Sequence, residues 1–295
     1  MTTTYKAESL FDVEKIVAVV TGGGTGIGKV MAHALAANGA AAVYILGRRQ
    51  EALDAARDSS PNPRVIHTIV CDVTSKDSLA AAAEQVRSEV GYCDVVFANS
   101  GAMGAGAGDA LQQIGGGGDI KKIQEQLWAP SMDEFTQAFH VNVTGAFYTA
   151  VAFLDLLDQG NKRAVVPQKS QIVITSSIAG FIRGALGGFA YAPSKAAATH
   201  LAKMLATTFA PLKIRTNVLA PGFYPSEMSS RFLPTDADPR EEGNLPAERV
   251  PLARSGREEE LAGITLFLTS QAGGYLDGEV LVTDGGSLGA TPSTY

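Results

Sequence analysis

The sequence predicts an α/β protein: a single domain over residues 1–295, built on a doubly wound, seven-stranded, mainly parallel sheet with helices on both faces. Three observations predict it. Seven short runs rich in Val, Ile and Leu alternate along the chain with segments of helical periodicity. The runs are apolar without a break, the pattern of strands buried on both faces. The first run also leads through a glycine loop directly into a helix, as the opening of a right-handed βαβ unit does.

Lys15–Thr21 is the first strand, and Gly26–Asn38 the first helix, with Ile27, Val30, Met31, Ala34 and Leu35 on one side and Gly39 as its closing residue. Ala41–Leu46 is the second strand, followed by a polar helix over Gln50–Arg57. Val65–Val70 and Val95–Ala98 are the third and fourth strands, with a helix over Ser78–Val90 between them. Ser131 or Asp133 caps a long helix predicted to reach Leu157. Ile172–Thr175 is the fifth strand, Pro193–Ala210 a helix, Ile214–Leu219 the sixth strand, Glu258–Ser270 a helix and Val280–Thr283 the last strand.

Three stretches break this rhythm: the glycine-rich Gly101–Gly118, the polar Asn161–Ser170, and the proline-rich Pro221–Gly256. All three adjoin the carboxyl ends of strands, the edge where open α/β sheets bind ligands. Residues 102–127 are expected to be an insertion near the active site, a mobile rim or lid, and residues 222–256 a substrate-binding loop.

Composition narrows the function. The net charge is −6, from 24 basic and 30 acidic residues, with no basic run. Nucleic-acid binding is therefore not expected, since it rests on Lys and Arg neutralising phosphates. The longest apolar stretch, Gly145–Leu154, is far short of the ~20 residues of a membrane span. Cys71 and Cys93 stand in no CxxC or metal-type spacing, and no secretory signal opens the chain. The expectation is a cytoplasmic protein with reduced thiols. His33, His67, His140 and His200 are scattered without Cys partners, so no metal site is expected.

The chain has 32 glycines, five of them between Gly22 and Gly28. In Thr21-Gly22-Gly23-Gly24-Thr25-Gly26-Ile27-Gly28 they join the first strand to the first helix. A turn this tight needs positions without a Cβ, and backbone must approach a pyrophosphate closely. The helix that follows offers unpaired N–H groups to that anion. In NAD-binding sites a carboxylate stands ~20 positions past the glycines and accepts a bond from the ribose 2′-hydroxyl. Here that position is Arg48, followed by Arg49, and no carboxylate occurs until Glu51. A guanidinium binds a 2′-phosphate bidentately, so NADP(H) is expected rather than NAD(H). Asp72-Val73, after the third strand, is placed to hold the adenine edge, and Asn99 follows the fourth.

Tyr191 and Lys195 lie four apart at a helix start and share one face. A free tyrosine has a pKa of ~10 and is a poor proton donor at neutral pH. A neighbouring ammonium favours the phenolate; lowering the pKa by ~3 units takes about 4 kcal/mol of differential interaction. Ser176 and Ser177 end the fifth strand, fourteen residues before Tyr191. Asn142 interrupts the apolar segment Phe139–Phe147, and a buried amide there needs partners. Ser177 has no G-x-S-x-G elbow, which argues against a hydrolase.

Together these residues resemble the short-chain dehydrogenase/reductase family over nearly the whole chain. The motifs are TGGGTGIG (Thr21–Gly28), CDV (Cys71–Val73), ANSG (Ala98–Gly101), VNVTG (Val141–Gly145), TSSIAG (Thr175–Gly180), YAPSK (Tyr191–Lys195) and APGF (Ala220–Phe223). Two departures are Ser100, where the family usually has alanine, and the 43 residues from Asn99 to Asn142, longer than the resemblance leads one to expect. The resemblance implies a Rossmann-type fold and hydride exchange between a nicotinamide and a carbonyl carbon. It implies that Tyr191 exchanges the proton with the substrate oxygen and that Ser177 hydrogen-bonds that oxygen. Lys195 would hold the nicotinamide ribose and depress the Tyr191 pKa, and Asn142 would link Lys195 to a proton relay. Gly101, Pro221, Gly222 and Ser226 fall at cofactor contacts, the last three in the segment covering the nicotinamide. The family's packing implies a homodimer or homotetramer.

Phe223, Tyr224, Met228, Phe232, Leu233 and Leu245 make the 222–256 segment apolar, so the expected substrate is a neutral, mainly hydrophobic or aromatic ketone or its alcohol. The leading reading is an NADPH-dependent carbonyl reductase, in secondary metabolism or on 3-oxoacyl-like groups. An NAD-dependent alcohol dehydrogenase working oxidatively is the alternative, and a non-catalytic dinucleotide sensor a third reading.

Overall fold

Seven strands, β1 (Val17–Thr21), β2 (Ala42–Gly47), β3 (Ile66–Val70), β4 (Val95–Ala98), β5 (Gln171–Thr175), β6 (Arg215–Pro221) and β7 (Val280–Thr283), form the sheet in the computed structural model, which describes residues 5–107 and 110–295. Every neighbouring pair is parallel, in the order β3-β2-β1-β4-β5-β6-β7. The chain runs outward from β1 to β3 and then returns to lay β4 on the other side of β1. This reversal opens a crevice at the carboxyl ends of β1 and β4.

Twelve α-helices accompany the strands among the described residues: α1 (Ala7–Leu10), α2 (Gly26–Ala37), α3 (Gln50–Asp58), α4 (Lys76–Glu89), α5 (Ala110–Gly115), α6 (Ile120–Trp128), α7 (Met132–Phe139), α8 (Ala146–Ala152), α9 (Leu154–Arg163), α10 (Tyr191–Phe209), α11 (Glu258–Thr269) and α12 (Ser287–Ala290). Alternate residues of each strand feed the two faces, since the strand repeat is two. Val17, Val19, Tyr44, Leu46, Val96 and Ile172 pack toward α4, α8 and α10, through Leu79, Val86, Ala150, Ala198 and Leu205. Ala18, Val20, Val43, Ile45, Phe97 and Val173 pack toward α2, α3 and α11, through Met31, Leu35, Leu53, Leu261 and Leu268. Nearly all of these are fully buried, which is why the strands read as unbroken apolar runs.

At the opposite, amino end of the sheet the buried Asp94 accepts a bond from the Val17 N–H at 2.8 Å and so ties β4 to β1. Burial pushes its carboxyl up to about 6, the Val17 bond opposing. Cys71 and Cys93 are both buried free thiols. Among the described residues no single helix is long and apolar enough to cross a membrane.

The sequence reading misses in three places. The helix expected from Ser131 to Leu157 is broken. After α7, which Ser131 and Glu134 close with a reciprocal capping box, residues His140–Gly145 form a π-helical turn, and the axis bends by 45° between α8 and α9 at the fully buried Phe153. A π-turn inserts one residue into the helical repeat, and apolar periodicity does not report it. Second, α9 carries the helix on to Arg163, through the first three residues of the segment expected to be loop. Asn161 belongs there because its amide donates to Lys213 O at 2.9 Å and accepts from the Ser170 N–H at 2.8 Å. Third, the expected insertion, residues 102–127, holds α5 and most of α6, the latter capped by Asp119. Gly108 and Asp109, within the expected lid, lie outside the described residues.

Candidate active site

The β1–α2 turn is shaped by backbone that only glycine tolerates at low cost. Gly22 and Gly26 have φ of +66° and +53°. A Cβ on Gly28 would fall 2.3 Å from Gly22 O and 2.5 Å from the Asn99 side-chain nitrogen. The Thr21 hydroxyl fixes the turn against the neighbouring strand, donating to Phe97 O at 3.2 Å and accepting from the Asn99 and Ser100 N–H groups at 2.9 and 3.0 Å. Helix α2 then begins with Thr25 making no side-chain cap bond and with no acidic residue in its first turn. Helices α4, α6 and α7, by contrast, are capped by Ser75, Asp119 and Ser131. The first N–H groups of α2 are thus left to an anion lying in the crevice. Asn99 donates to Thr21 O at 3.0 Å, while its Oδ1 is buried with no partner in the protein. A cradle stripped of Cβ atoms, uncapped donors and an orphaned acceptor fit a dinucleotide.

Arg48 and Arg49 are exposed at the end of β2. Asp72, just past β3, accepts from the Thr74 N–H and hydroxyl at 2.9 and 2.7 Å, and these bonds, with a smaller contribution from Arg48, hold its carboxyl below the usual range. Val73 packs so closely on the Asn142 turn that a Cβ on Gly145 would lie 3.0 Å from it. Arg49 reaches across the crevice to Glu227, Nη2 to Oε2 at 2.9 Å.

At the other end stand the residues of β5 and α10. Lys195 is 3% exposed, and its Nζ donates to Thr175 O at 2.8 Å while lying 5.8 Å from the centre of the Tyr191 ring. Burial brings the ammonium down to about 8. A Cβ on Gly101 would lie 3.6 Å from Lys195 Nζ, so this glycine keeps the space before the ammonium clear. The two serines that end β5 part company. The Ser176 hydroxyl is committed to α10, at Lys195 O (2.9 Å) and the Thr199 hydroxyl (2.7 Å). Ser177 stands at the start of the short turn Ile178–Gly180 and accepts from the Ala179 N–H at 3.1 Å.

Asn142, 2% exposed, is turned away from the crevice. Its Oδ1 accepts from the Ala102 N–H at 2.8 Å, and its Nδ2 donates to Ala102 O at 2.9 Å and to the Ser194 hydroxyl at 2.8 Å. The side chain therefore clamps the segment after β4 to α10. Ser194 and Ala102 are partners that the sequence reading missed; Ser194, inside the YAPSK motif, carried the signal.

One cleft of about 820 Å³ runs through all of this. It is lined by Gly22, Gly24, Thr25, Gly26, Ile27, Gly28, Arg48, Arg49, Asp72, Val73, Asn99, Gly101, Ser177, Tyr191, Lys195, Pro221, Gly222, Phe223, Tyr224, Ser226 and Met228. Ser226 sits over the glycine loop, 3.1 Å from where a Gly26 Cβ would be. The Arg249 guanidinium stacks on Phe223 at 4.7 Å. The Tyr224 hydroxyl is hydrogen-bonded with that of Thr283 at 2.6 Å and its ring packs in the core, so only part of its surface faces the cleft. Phe232 lines it too, as do Met103, Gln137, Val141, Leu186 and Glu227, which were not singled out as site residues. Leu233 and Leu245 do not, and of the described residues between 102 and 127 only Ala102 and Met103 do. The 222–256 segment is tied down internally, for instance by Gly256 N to Phe223 O and Leu245 N to Ala253 O. No group of three metal-ligating side chains occurs among the described residues.

A family model described as enoyl-(acyl carrier protein) reductase matches residues 22–287. The chain is 43% identical to the short-chain dehydrogenase/reductase PhomF′ of Diaporthe leptostromiformis over 98% of its own length and 97% of that protein. It is 39% identical to the short-chain dehydrogenase/reductase VdtF of Byssochlamys spectabilis, covering 98% of both. The fold is similar to the Pseudomonas aeruginosa RhlG/NADP active-site complex, with a TM-score of 0.76 and 27% identity over 94% of this chain and 98% of that one.

Proposed function

Since the chain belongs to the short-chain dehydrogenase/reductase family, oxidoreductases of carbonyl and alcohol groups that bind a nicotinamide dinucleotide, we propose that it is an NADPH-dependent reductase of neutral, mainly hydrophobic or aromatic ketones, acting in secondary metabolism. One observation carries this reading: a single cleft with a buried ammonium against a tyrosine at one end and two exposed guanidinium groups at the other. When bound, the dinucleotide supplies the hydride. Gly22, Gly24, Thr25, Gly26, Ile27 and Gly28 hold its pyrophosphate, with Asn99 and Gly101 beside them. Arg48 takes the 2′-phosphate, Arg49 adds positive charge there, and Asp72 and Val73 border the adenine. Pro221, Gly222 and Ser226 cover the nicotinamide. Ser177 donates to the substrate oxygen, Tyr191 gives it a proton, and Lys195 keeps Tyr191 acidic enough to do so. Met103, Leu186, Phe223 and Met228 supply an apolar wall that suits a ketone without charge.

The test is a panel of ketones with the purified protein, followed by the loss of NADPH absorbance. Bulky aromatic ketones are expected to outrun sugar phosphates, and kcat/KM to favour NADPH over NADH. Arg48→Asp is expected to lower kcat/KM for NADPH by roughly 10- to 100-fold, the worth of charge-assisted hydrogen bonds to a phosphate. A wild-type preference for NADH would overturn the cofactor assignment and favour oxidative work on alcohols.

Met132 (87% exposed), Phe135, Phe147 and Val151 leave exposed apolar surface on α7 and α8, as Met204 does on α10. We propose that a second copy covers it in a homodimer or homotetramer. Sedimentation velocity should then give two or four times the chain mass; a monomer at micromolar concentration rules this out.

A further inference from the structure

Residues 181–190 connect the Ser177 turn to Tyr191, and this loop forms one wall of the cleft through Leu186 and Gly187. It is pressed on the catalytic end: a Cβ on Gly187 would lie 2.8 Å from both Tyr191 Cδ1 and Met103 Cε. On one side it is backed by the segment after β4, where a Cβ on Gly188 would lie 3.1 Å from Ala105 O and one on Gly104 only 2.9 Å from the Ala138 side chain. On another side it is held by residues 291–295. The Arg183 N–H donates to Pro292 O at 2.8 Å and the Thr294 N–H to Phe181 O at 2.8 Å, which makes an isolated antiparallel bridge between Ile182 and Ser293. The Thr294 hydroxyl adds a second bond to Phe181 O at 3.2 Å, and the Tyr295 ring meets Phe181 edge-on at 5.3 Å. This segment is itself anchored. The Asp284 carboxylate caps α12 at the Gly286 and Leu288 N–H groups (2.9 and 2.8 Å), and the Ser293 hydroxyl donates to Leu288 O at 3.2 Å.

We propose that residues 291–295 are a positioning strap: by holding Phe181–Arg183 they fix the 181–190 loop as a wall of the substrate pocket and set which ketones it accepts. The inference rests on the reading of the cleft as a ketone site. Its physical basis is preorganisation. A wall held by two main-chain bonds and one aromatic contact loses little entropy when a large substrate packs on it, whereas a loosened wall must be ordered by the substrate itself. A small ketone that does not touch the wall gains nothing from the strap.

The test uses the full chain with Thr294→Pro, which removes the donor to Phe181 O, and, as a milder change at an exposed position, Tyr295→Ala. Hydrogen exchange of residues 181–190 is expected to quicken about tenfold in Thr294→Pro, with the rest of the sheet unchanged. KM for a bulky aromatic ketone is expected to rise about fivefold, that for the smallest reducible ketone to change less than twofold, and NADPH affinity to stay the same. Unchanged exchange in both variants would overturn the strap. So would faster exchange with an unchanged ratio of KM for large and small ketones. A wild type that reduces no ketone would instead sink the functional reading, and the exchange experiment would still decide whether the strap holds the loop.

Discussion

Tyr191→Phe is expected to lower kcat for ketone reduction by about 10²- to 10⁴-fold, the usual worth of a positioned general acid, while the dissociation constant for NADPH changes by less than about threefold. The substitution removes one oxygen and keeps the ring. The ring packs with Ala179 and Ala192, against Met103, Leu186 and Met228, in a small apolar cluster distinct from the two sheet faces. Thermal unfolding of the variant, measured beside its kinetics, separates loss of chemistry from loss of fold. The size of the effect follows from where charge develops. As the substrate oxygen becomes an alkoxide it needs a proton from a nearby acid, and Tyr191 is the phenol that lies beside a buried ammonium. Ser177 is left to stabilise that charge by a hydrogen bond alone, which accounts for the residual rate. Stopped-flow single turnovers with saturating NADPH read the step directly. A Tyr191→Phe protein that turns over at the wild-type rate would remove Tyr191 from the mechanism.

Much of this site was legible because its chemistry is local in sequence. The glycine loop, Tyr191 with Lys195, and the strand-end Ser177 each sit within a few residues of the element that positions them. Strands buried on both faces announce themselves as Val-, Ile- and Leu-rich runs, so the sheet could be counted before its order was known. What was not legible depends on contacts between distant residues. The π-turn at His140–Gly145 looks like ordinary helix in its apolar spacing, and the meaning of Asn142 emerges only when Ala102 and Ser194 are brought to it. The Arg49–Glu227 pair joins positions 178 apart in the chain. Just past the glycine-rich stretch a helix signal is present in the sequence: Asp119 is a good cap, and Ile120, Ile123 and Leu127 recur at helical spacing just behind it. The same stretch also shows why a glycine surplus is ambiguous. Gly104 is there for close packing against α7 and α10, at φ +66°, whereas Gly117 has nothing near it.

Lys195→Met is expected to cost kcat/KM for NADPH about 10³-fold or more, a loss that combines the positive charge beside Tyr191 with the contact to the cofactor ribose. Methionine preserves much of the side-chain length and fits an apolar surround, but it cannot donate to Thr175 O, the one hydrogen bond that the Lys195 ammonium makes among the described residues. The charge itself has a testable signature in pH. Burial has brought the ammonium down to about 8, so in the free protein it is present below that pH and lost above it. Because kcat/KM for the dinucleotide reports groups of the free protein, the wild-type value should be flat up to about pH 8 and fall by roughly tenfold per pH unit beyond it, with kcat less affected once the cofactor phosphates and ribose surround the cleft. Lys195→Met lacks the group, so its much lower value should show no such limb. A wild-type profile that stays flat to pH 9.5, or a variant that keeps the limb, would mean that some other group titrates and that Lys195 serves the fold alone. The distinction is physical. A lysine needed only for packing would be replaced by methionine at small cost, since its stem is already buried and the cost of desolvating its charge disappears with it. A fold that instead keeps a charge in a buried place, held by a single carbonyl and turned toward a tyrosine, gives up stability for a field at the point where the substrate oxygen must be protonated.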